Sequence, residues 1–475
     1  MKQSSVPSKK STRRHAHLVG IKGVAMAALA VYLSEAGYKV TGSDVPEHFP
    51  TQDELEQKGI PVEEGFDASR VQGVNKPDVL YYTGAHGGRD NAEVAAAKSA
   101  GVPVYPHGQG LGNIMEGSRA VVVAGSHGKT TTSAMIAALL THAKFRPSYA
   151  IGCGSIGGLG AAGHKGESGW FIAEGDEYIT DPTHDTTPRF HWLTPEILVV
   201  TNIDYDHPDA YADLQKVQDA FVALQQKSGI TIYNADDKNS AVLARSGKVT
   251  SYGFSPNAEY RIVRVADGRE RMFFSLEERG VLLGEFTLKV PGRHNVLNAT
   301  AAMIASHIAG VGWDVLREGL LTFTGTKRRF ECLGLDGGVV WYDDYAHHPT
   351  EIAATLKAAR TWYPDSRIIA VFQPHTYSRT KSLLNEFGRA FTDCDTVLFT
   401  DIYASAREHD TLGIHGNTLV FETAKNHHDA HFVKDKNAVI EKLKTLIKPG
   451  DVVIFMGAGD IYNWEGEIIA SVTKG

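Results

Sequence analysis

The sequence predicts an α/β protein of three consecutive domains, and three observations predict it. Short β-branched apolar runs alternate with helical stretches along almost the whole chain, the pattern of parallel sheets covered by helices. These runs end in polar residues or small polar clusters, as strands do when their carboxyl ends face a ligand. The length, 475 residues, exceeds what one core organises and suits two to four domains.

The elements follow in order. Ser, Lys and Arg without an apolar segment predict a disordered basic tail over residues 1–15 rather than a secretory signal. In the first domain, 16–112, a strand at His17-Leu-Val runs through Gly20-Ile-Lys22-Gly23-Val-Ala25-Met26 into a helix over 27–34. Gly37 ends that helix, Tyr38-Lys-Val-Thr41 forms the next strand, and Gly42-Ser43-Asp44 closes it. This βαβ unit with an acid after its second strand is Rossmann-like, but Lys22 and Ala25 stand where a dinucleotide loop carries glycine. Further strands are expected at 79–83 and 102–105.

The central domain, 113–326, starts with a strand at 120–124, then Gly125-Ser126-His127-Gly128-Lys129-Thr130-Thr131-Thr132, then a helix over 133–140. Strand, glycine turn and helix N-terminus together make a phosphate cradle, with Lys129 on the outer phosphates and Thr130 or Thr131 on Mg²⁺. The longer phosphate-loop pattern wants glycine at position 123, where Val123 stands. Strands at 170–173, 197–201 and 230–233 end in Glu174, Asn202 and Asn234-Ala-Asp-Asp237. From 248 to 290 the runs become short and alternating, which predicts a small appended antiparallel sheet. Pro291-Gly-Arg-His-Asn295 opens an Ala-rich helix.

The third domain, 327–475, is again Rossmann-like α/β. Its strands at 338–342, 367–372, 396–400 and 452–456 end in Asp343-Asp344, Gln373-Pro-His375, Asp401 and Gly457-Ala-Gly-Asp460. The clearest amphipathic helix covers 352–359.

Composition narrows the function. A net charge of −7 implies no pull toward nucleic acid or anionic membrane. No run approaches the ~20 apolar residues of a membrane span. Three scattered cysteines, Cys153, Cys332 and Cys394, predict free thiols in a reducing, cytoplasmic setting. Glu174 and Asp204-Tyr-Asp206-His207 offer hard oxygens and one imidazole, a set that suits Mg²⁺ better than zinc. His347 and His348 are neighbours and cannot share a helix face, so one of them ligates, caps or orients phosphate. Arg379 and Lys381 bring anion-binding charge near a strand end, while His427-His428 in a polar stretch is a bystander.

Gly125-Ser-His-Gly-Lys-Thr-Thr131, Thr201-Asn-Ile-Asp-Tyr-Asp-His207, Gly292-Arg-His-Asn295, Asp343-Asp-Tyr-Ala-His-His-Pro-Thr-Glu351 and Phe372-Gln-Pro-His-Thr-Tyr-Ser-Arg-Thr380, in this order and spacing, resemble the Mur ligase family of peptidoglycan synthesis. The resemblance runs almost end to end, and the family's shorter phosphate loop removes the objection at Val123. It implies an ATP-dependent carboxylate–amine ligase using ATP and Mg²⁺. The lactyl carboxylate of UDP-N-acetylmuramate would become an acyl phosphate, which the amine of L-alanine attacks; a tripeptide is the alternative amine.

By motif, the resemblance implies that Lys129, Glu174, His207 and His347 are catalytic, with Thr130, Glu174 and His207 on magnesium. Gly125, Ser126, His127, Gly128, Lys129, Thr130 and Thr131 would bind ATP together with Asn295 and Arg329. Asp343, or Asp344, would lie with His347 on the ATP or amino-acid side. Gly20, Lys22, Gly23, Met26, Ser43 and Asp44 would hold the UDP portion, with Lys22 able to pair with its pyrophosphate. His375 and Arg379 would hold the amino acid.

Two stretches lean toward the tripeptide form, Glu174-Gly-Asp-Glu-Tyr178 and the unusual polar insertion 179–195. Against them, the blocks at 373–380 and 457–460, and the absence of lysine in Gln218-Asp-Ala-Phe-Val222, lean toward alanine. The expected partners are small molecules only, with the chain a monomer or weak homodimer. A phosphate-loop kinase or other NTPase would leave the third domain and its Asp343 block without a purpose.

Overall fold

The computed structural model describes residues 13–207, 209–268, 270–404, 408 and 410–473. The basic tail lies outside the described residues up to residue 12, and His15 already opens the first strand.

The first module runs β1 (His15–Val19), α1 (Val24–Glu35), β2 (Lys39–Asp44), α2 (Gln52–Gln57), β3 (Val62–Glu64), β4 (Val79–Tyr82), α3 (Ala92–Ser99), β5 (Val104–Pro106) and α4 (His107–Met115). Its five strands are parallel, in the order β3-β2-β1-β4-β5. The break expected near Gly112 is corrected: α4 runs through that residue, and the chain turns only at 116–118.

The central module begins with β6 (Arg119–Ala124), α5 (Lys129–His142), β7 (Ser148–Ile156), β8 (Gly160–His164) and β9 (Trp170–Glu174). It continues through β10 (Ile179–Asp181), β11 (Asp185–Pro188), β12 (Ile197–Val200), α6 (Leu214–Gln225), β13 (Ile230–Asn234) and β14 (Val249–Gly253). The meander β15 (Tyr260–Gly268), β16 (Arg271–Glu278) and β17 (Val281–Leu288) precedes α7 (Arg293–Ile308) and α8 (Trp313–Leu320). The antiparallel strands expected here join the main sheet rather than standing apart, because β15 pairs in parallel with β14 at Tyr252–Tyr260 and Gly253–Arg261. The result is a ten-stranded sheet, β17-β16-β15-β14-β13-β12-β6-β9-β7-β8.

The third module comprises β18 (Glu331–Asp336), β19 (Val339–Asp344), α9 (Pro349–Trp362), β20 (Ile368–Phe372), α10 (Tyr377–Ser382) and α11 (Leu384–Phe387). Then follow β21 (Thr396–Phe399), α12 (Gly416–Thr423), β22 (Ala430–Phe432), α13 (Lys436–Leu446), β23 (Val452–Met456) and α14 (Glu465–Thr473). The sheet order is β18-β19-β23-β20-β21-β22, parallel except for β18. Strands such as Val121-Val-Val and Val453-Ile-Phe are buried on both faces, which is why they read as continuous apolar runs.

The first two modules share one core. Every residue of α1 from Met26 to Leu33 is buried, as in a helix enclosed on all sides. One side covers its own sheet; the other packs on β7 and β8 and reaches β9, where Tyr32 lies 5.2 Å from Phe171. The polar insertion at 179–195 is a second fastener: the β10–β11 hairpin and the turn after it press on the first module. Asp181 Oδ2 accepts the amide of Arg89 at 2.9 Å and His184 meets Asp90 at 2.8 Å. On α4, Cβ atoms at Gly108 and Gly112 would lie 2.9 Å from Arg189 O and 2.4 Å from Trp192 O, so the helix needs glycine there. The third module hangs from β7, where Lys327 N donates to Ser155 O at 3.0 Å. It also touches the first module, Tyr462 donating to His48 O at 2.8 Å. Among the described residues no helix is long and apolar enough to cross a membrane.

Gly163 on β8 tests the shared core, because a Cβ there would sit 2.0 Å from the backbone oxygen of Ala28 in α1. Gly163→Ala should lower unfolding stability by about 1–3 kcal/mol through overpacking. A denaturant midpoint equal to wild type would show that α1 is not held in this way.

Candidate functional site

The phosphate loop is shaped by what presses on it. Gly125 (φ +135°) and Gly128 (φ +80°) have left-handed backbones, and Cβ atoms there would meet Thr201 Oγ1 at 2.0 Å and Asn298 Oδ1 at 2.5 Å. The loop is laced to the segment after β12. His127 N donates to Asn202 Oδ1 at 2.9 Å, Asp204 N to Ser126 Oγ at 2.8 Å, and Thr201 Oγ1 to His127 O at 2.5 Å. Lys129 then opens α5 with its amides facing the loop.

At the end of β9, Glu174 accepts from Thr130 Oγ1 at 3.0 Å and from Gly152 N at 2.9 Å. Burial pushes its pKa up; Lys129 and these hydrogen bonds oppose the rise without cancelling it. Lys129 Nζ donates to Glu177 Oε2 at 2.7 Å. Burial would lower the lysine pKa, but Glu177, Asp176 and Glu174 outweigh it and hold the group cationic. His207 Nε2 lies 3.7 Å from both Glu177 Oε1 and Asp206 Oδ2, with Tyr178 edge-on at 5.0 Å.

A cavity of about 450 Å³ opens between the central and third modules, within the range of small-molecule sites. His127, Gly128 and Thr131 line one end, Asn234, Asp237 and Tyr252 the other, and Asn295, Arg329, Asp344 and Glu351 its walls. Glu351 ties the walls together. It meets His127 Nδ1 at 3.3 Å, Arg329 at 3.7 Å, and the amide and ring of His347 at 3.2 and 3.4 Å. His348 caps α9, its Nδ1 accepting Thr350 N at 3.3 Å; Pro349 follows and Glu351 sits in the first turn, a strong helix start.

Burial lowers the His127 pKa, but the carboxylates of Asp204, 3.5 Å from Nε2, and Glu351 more than reverse this and raise it to about 10. His127, Asp204 and His348 bring potential ligand atoms within 4.8 Å of one another.

The amino-acid residues inferred by motif gather beside this cavity. Arg379 donates to His375 O at 3.0 Å and reaches across to Asp206 of the central module at 3.3 Å. Burial would raise the Asp206 pKa, but Arg379 and His207 pull it well below the usual range. His347 lies 6.3 Å from the His375 ring, and burial, then Arg379, lower its pKa to about 4.

Three expectations need correction. Asp343 does not reach the cavity: neighbouring residues of a strand point to opposite faces, and Asp343 pairs with Arg328 at 2.9 Å while Asp344 lines the wall. In the first module, Ser43 donates its hydroxyl to buried Glu93, and Met26 faces the core, so neither side chain is presented to a ligand. Lys22 is buried, its ammonium on Glu47 O at 2.6 Å and Gln52 at 3.4 Å instead of facing the loop. The loop itself forms: Gly20 (φ +79°) donates to Ser43 O at 2.8 Å, Gly23 precedes α1, and Asp44 accepts Lys22 N at 2.7 Å. Glu177 was missed as a participant, although it stands in a polar cluster that follows a strand, and Asp206, expected in an Mg²⁺ donor set, is instead paired with Arg379.

Comparison with known proteins agrees along the chain. "Mur ligase family, catalytic domain" matches residues 15–119, "Mur ligase middle domain" residues 181–306, and "Mur ligase, glutamate ligase domain" residues 328–459. The chain is 39% identical over 455 residues to UDP-N-acetylmuramate--L-alanine ligase of Desulfitobacterium hafniense strain Y51, covering 94% of this chain and 98% of that one. The crystal structure of UDP-N-acetylmuramate-alanine ligase MurC from Thermotoga maritima is similar with a TM-score of 0.80 at 27% identity, covering 96% of this chain and 98% of that one. A murein peptide ligase from Psychrobacter arcticus 273-4 shares the fold, with a TM-score of 0.73 at 23% identity over 97% and 99% of the two chains.

The His127 tie carries a pH signature. Its folded pKa of about 10 exceeds the ordinary histidine value of 6.5, so its stabilisation is complete below about pH 6.5 and is lost as pH rises through about 10. The stability gap between wild type and His127→Gln, read from denaturant melts, should shrink steadily across that window. A gap that does not change with pH would contradict the assignment.

Proposed function

The chain belongs to the Mur ligase family, and from that premise we infer that it joins L-alanine to the lactyl carboxylate of UDP-N-acetylmuramate at the expense of ATP. The observation that carries the reading is the near full-length likeness to the Desulfitobacterium ligase. The geometry supports it, with the phosphate lysine, buried carboxylates and amino-acid residues all meeting at one junction of modules.

In this reading the glycine loop after β1 holds the UDP portion and directs the sugar's carboxylate toward β9. ATP lies in the cavity, its phosphates over Gly125–Thr131 and its base among Asn234, Tyr252 and Asn295. Lys129 places positive charge on the transferring phosphoryl group, the main contribution a protein makes to such a step. The carboxylate is thereby converted to an acyl phosphate. The amine of L-alanine attacks the acyl carbon, and the tetrahedral intermediate collapses to amide and phosphate. Arg379 holds the amino acid's carboxylate. His347 is uncharged at neutral pH, so it places no second cation beside the incoming amine.

The Thr130 hydroxyl and Glu174 carboxylate, 3.0 Å apart, with His207 nearby, form a hard donor set that fits Mg²⁺. When bound, the ion would neutralise charge on the phosphates and on the two anionic substrates. The reading places the chain in the cytoplasm as a monomer or weak homodimer acting on small molecules, consistent with three free thiols.

Phosphate release should require both UDP-N-acetylmuramate and L-alanine. Activity with an alanine-led tripeptide but not with alanine would replace the amine in this reading, and ATP hydrolysis indifferent to the sugar nucleotide would overturn it. Lys129→Ala should lower turnover by about 100- to 1,000-fold while calorimetry finds sugar-nucleotide binding nearly intact. Loss of both together would refute the separation of the two sites.

A further inference from the structure

Lysine has three N–H donors and no acceptor, and those of Lys129 are all engaged. Nζ donates to Gly125 O at 2.6 Å, Ser126 O at 3.3 Å and Glu177 Oε2 at 2.7 Å. The ammonium is folded back over its own loop, and a phosphate oxygen reaches it only by displacing one of these partners. Two of them are carbonyls of the loop that must rearrange around phosphate in any case. The third comes from another strand end and carries charge.

Glu177 is built into its place. It is 2% exposed, and its main-chain oxygen accepts the Tyr211 hydroxyl at 2.6 Å. Its second oxygen, Oε1, is buried with no hydrogen bond among the described residues and lies 3.7 Å from His207 Nε2. Glu174 stands on the Thr130 side of the same lysine. Arg329, the next cation toward the cavity, is drawn to Glu351 at 3.7 Å. The phosphate seat therefore holds two carboxylates, buried Glu177 and part-buried Glu174, against one lysine before any nucleotide arrives, while the nearby Asp176 is engaged by Arg189 at 2.7 Å. A bare triphosphate would add several more negative charges where water screens poorly. A triphosphate carrying a divalent cation would meet both negative charge and a buried oxygen still open to ligation, beside an imidazole. Donors around a hexacoordinate ion of this size sit about 3 Å apart, close to the spacing of Oε1 and the ring.

We propose that Glu177 makes the phosphate seat selective for cation-complexed nucleotide, repelling the metal-free form and turning Oε1 with His207 toward the ion that travels with the triphosphate. The proposal rests on the magnesium–ATP reading above and assigns one residue the discrimination within it.

The test is equilibrium binding of a fluorescent ATP analogue, with excess Mg²⁺ and with a chelator, to wild type, Glu177→Gln, Glu177→Ala and Glu177→Asp. The measured quantity is the ratio of the two dissociation constants. Wild type should bind the complexed nucleotide much more tightly. In Glu177→Gln, which keeps an oxygen for Lys129, the ratio should fall about tenfold or more, chiefly because metal-free nucleotide binds better. Glu177→Ala should behave alike and serves if the amide variant does not fold, while Glu177→Asp should preserve the ratio. An unchanged ratio in the Gln or Ala variant, or equal weakening of both nucleotide forms, overturns the proposal and leaves Glu177 as a prop for Lys129. A wild-type ratio of one would instead overturn the magnesium reading, and this proposal with it.

Discussion

One buried carboxylate holds the working arrangement together. Glu351 opens α9 in the third module and meets His127 of the phosphate loop, Arg329 of the connecting segment and His347 of its own motif. Burial would raise its pKa, yet the surrounding cations hold it well below the ordinary glutamate range. Removing one member of such a group leaves an uncompensated charge in a dry place, which costs far more than the net worth of the pair. The nucleotide cavity exists only while the third module is docked, because its walls come from both sides of this contact.

The docking is electrostatic where the other junction is apolar. The first and central modules are joined by α1, enclosed between two sheets, and by the turn after the β10–β11 hairpin, seated on glycines of α4. The third module is held through His127–Glu351, Arg379–Asp206 and the Tyr462–His48 hydrogen bond. Polar contacts of this kind can be exchanged for contacts to a charged ligand, whereas an interdigitated core cannot be parted without exposing it. The third module is therefore the one whose contacts to its neighbours could be exchanged without parting an apolar core.

Much of this was legible in the sequence, and the exceptions have physical causes. Buried parallel strands and glycine loops are local signals, so Val121-Val-Val, Gly125–Thr131 and the body of α9 could be placed without coordinates. Which of two adjacent acids faces the cavity depends on strand pairing, so the motif left Asp343 and Asp344 both open, and Asp344 is the one that lines the cavity. The hydroxyl of Ser43 stands at the right place in the loop but is drawn inward by Glu93, which lies far along the chain. Polar residues 179–195 read as a loop insertion, because their partners, the glycines of α4 and Arg89, belong to another module. Glu177 escaped notice because its role comes from the lysine it faces, a contact that spacing does not show.

The enclosure of α1 also limits how the protein can be taken apart. A fragment ending at the 116–118 turn would leave bare the side of α1 that packs on β7 and β8, an apolar strip that monomeric domains do not expose. The converse fragment would uncover Phe171 and its neighbours on the sheet. A chimera that exchanges the sugar-nucleotide module between relatives must therefore carry the central sheet with it, or redesign both surfaces together. The third module, tied by charges and one connecting segment, is the natural unit of exchange. In this chain the core is continuous up to the segment near residue 327, and the earlier seam between modules is a seam in topology only.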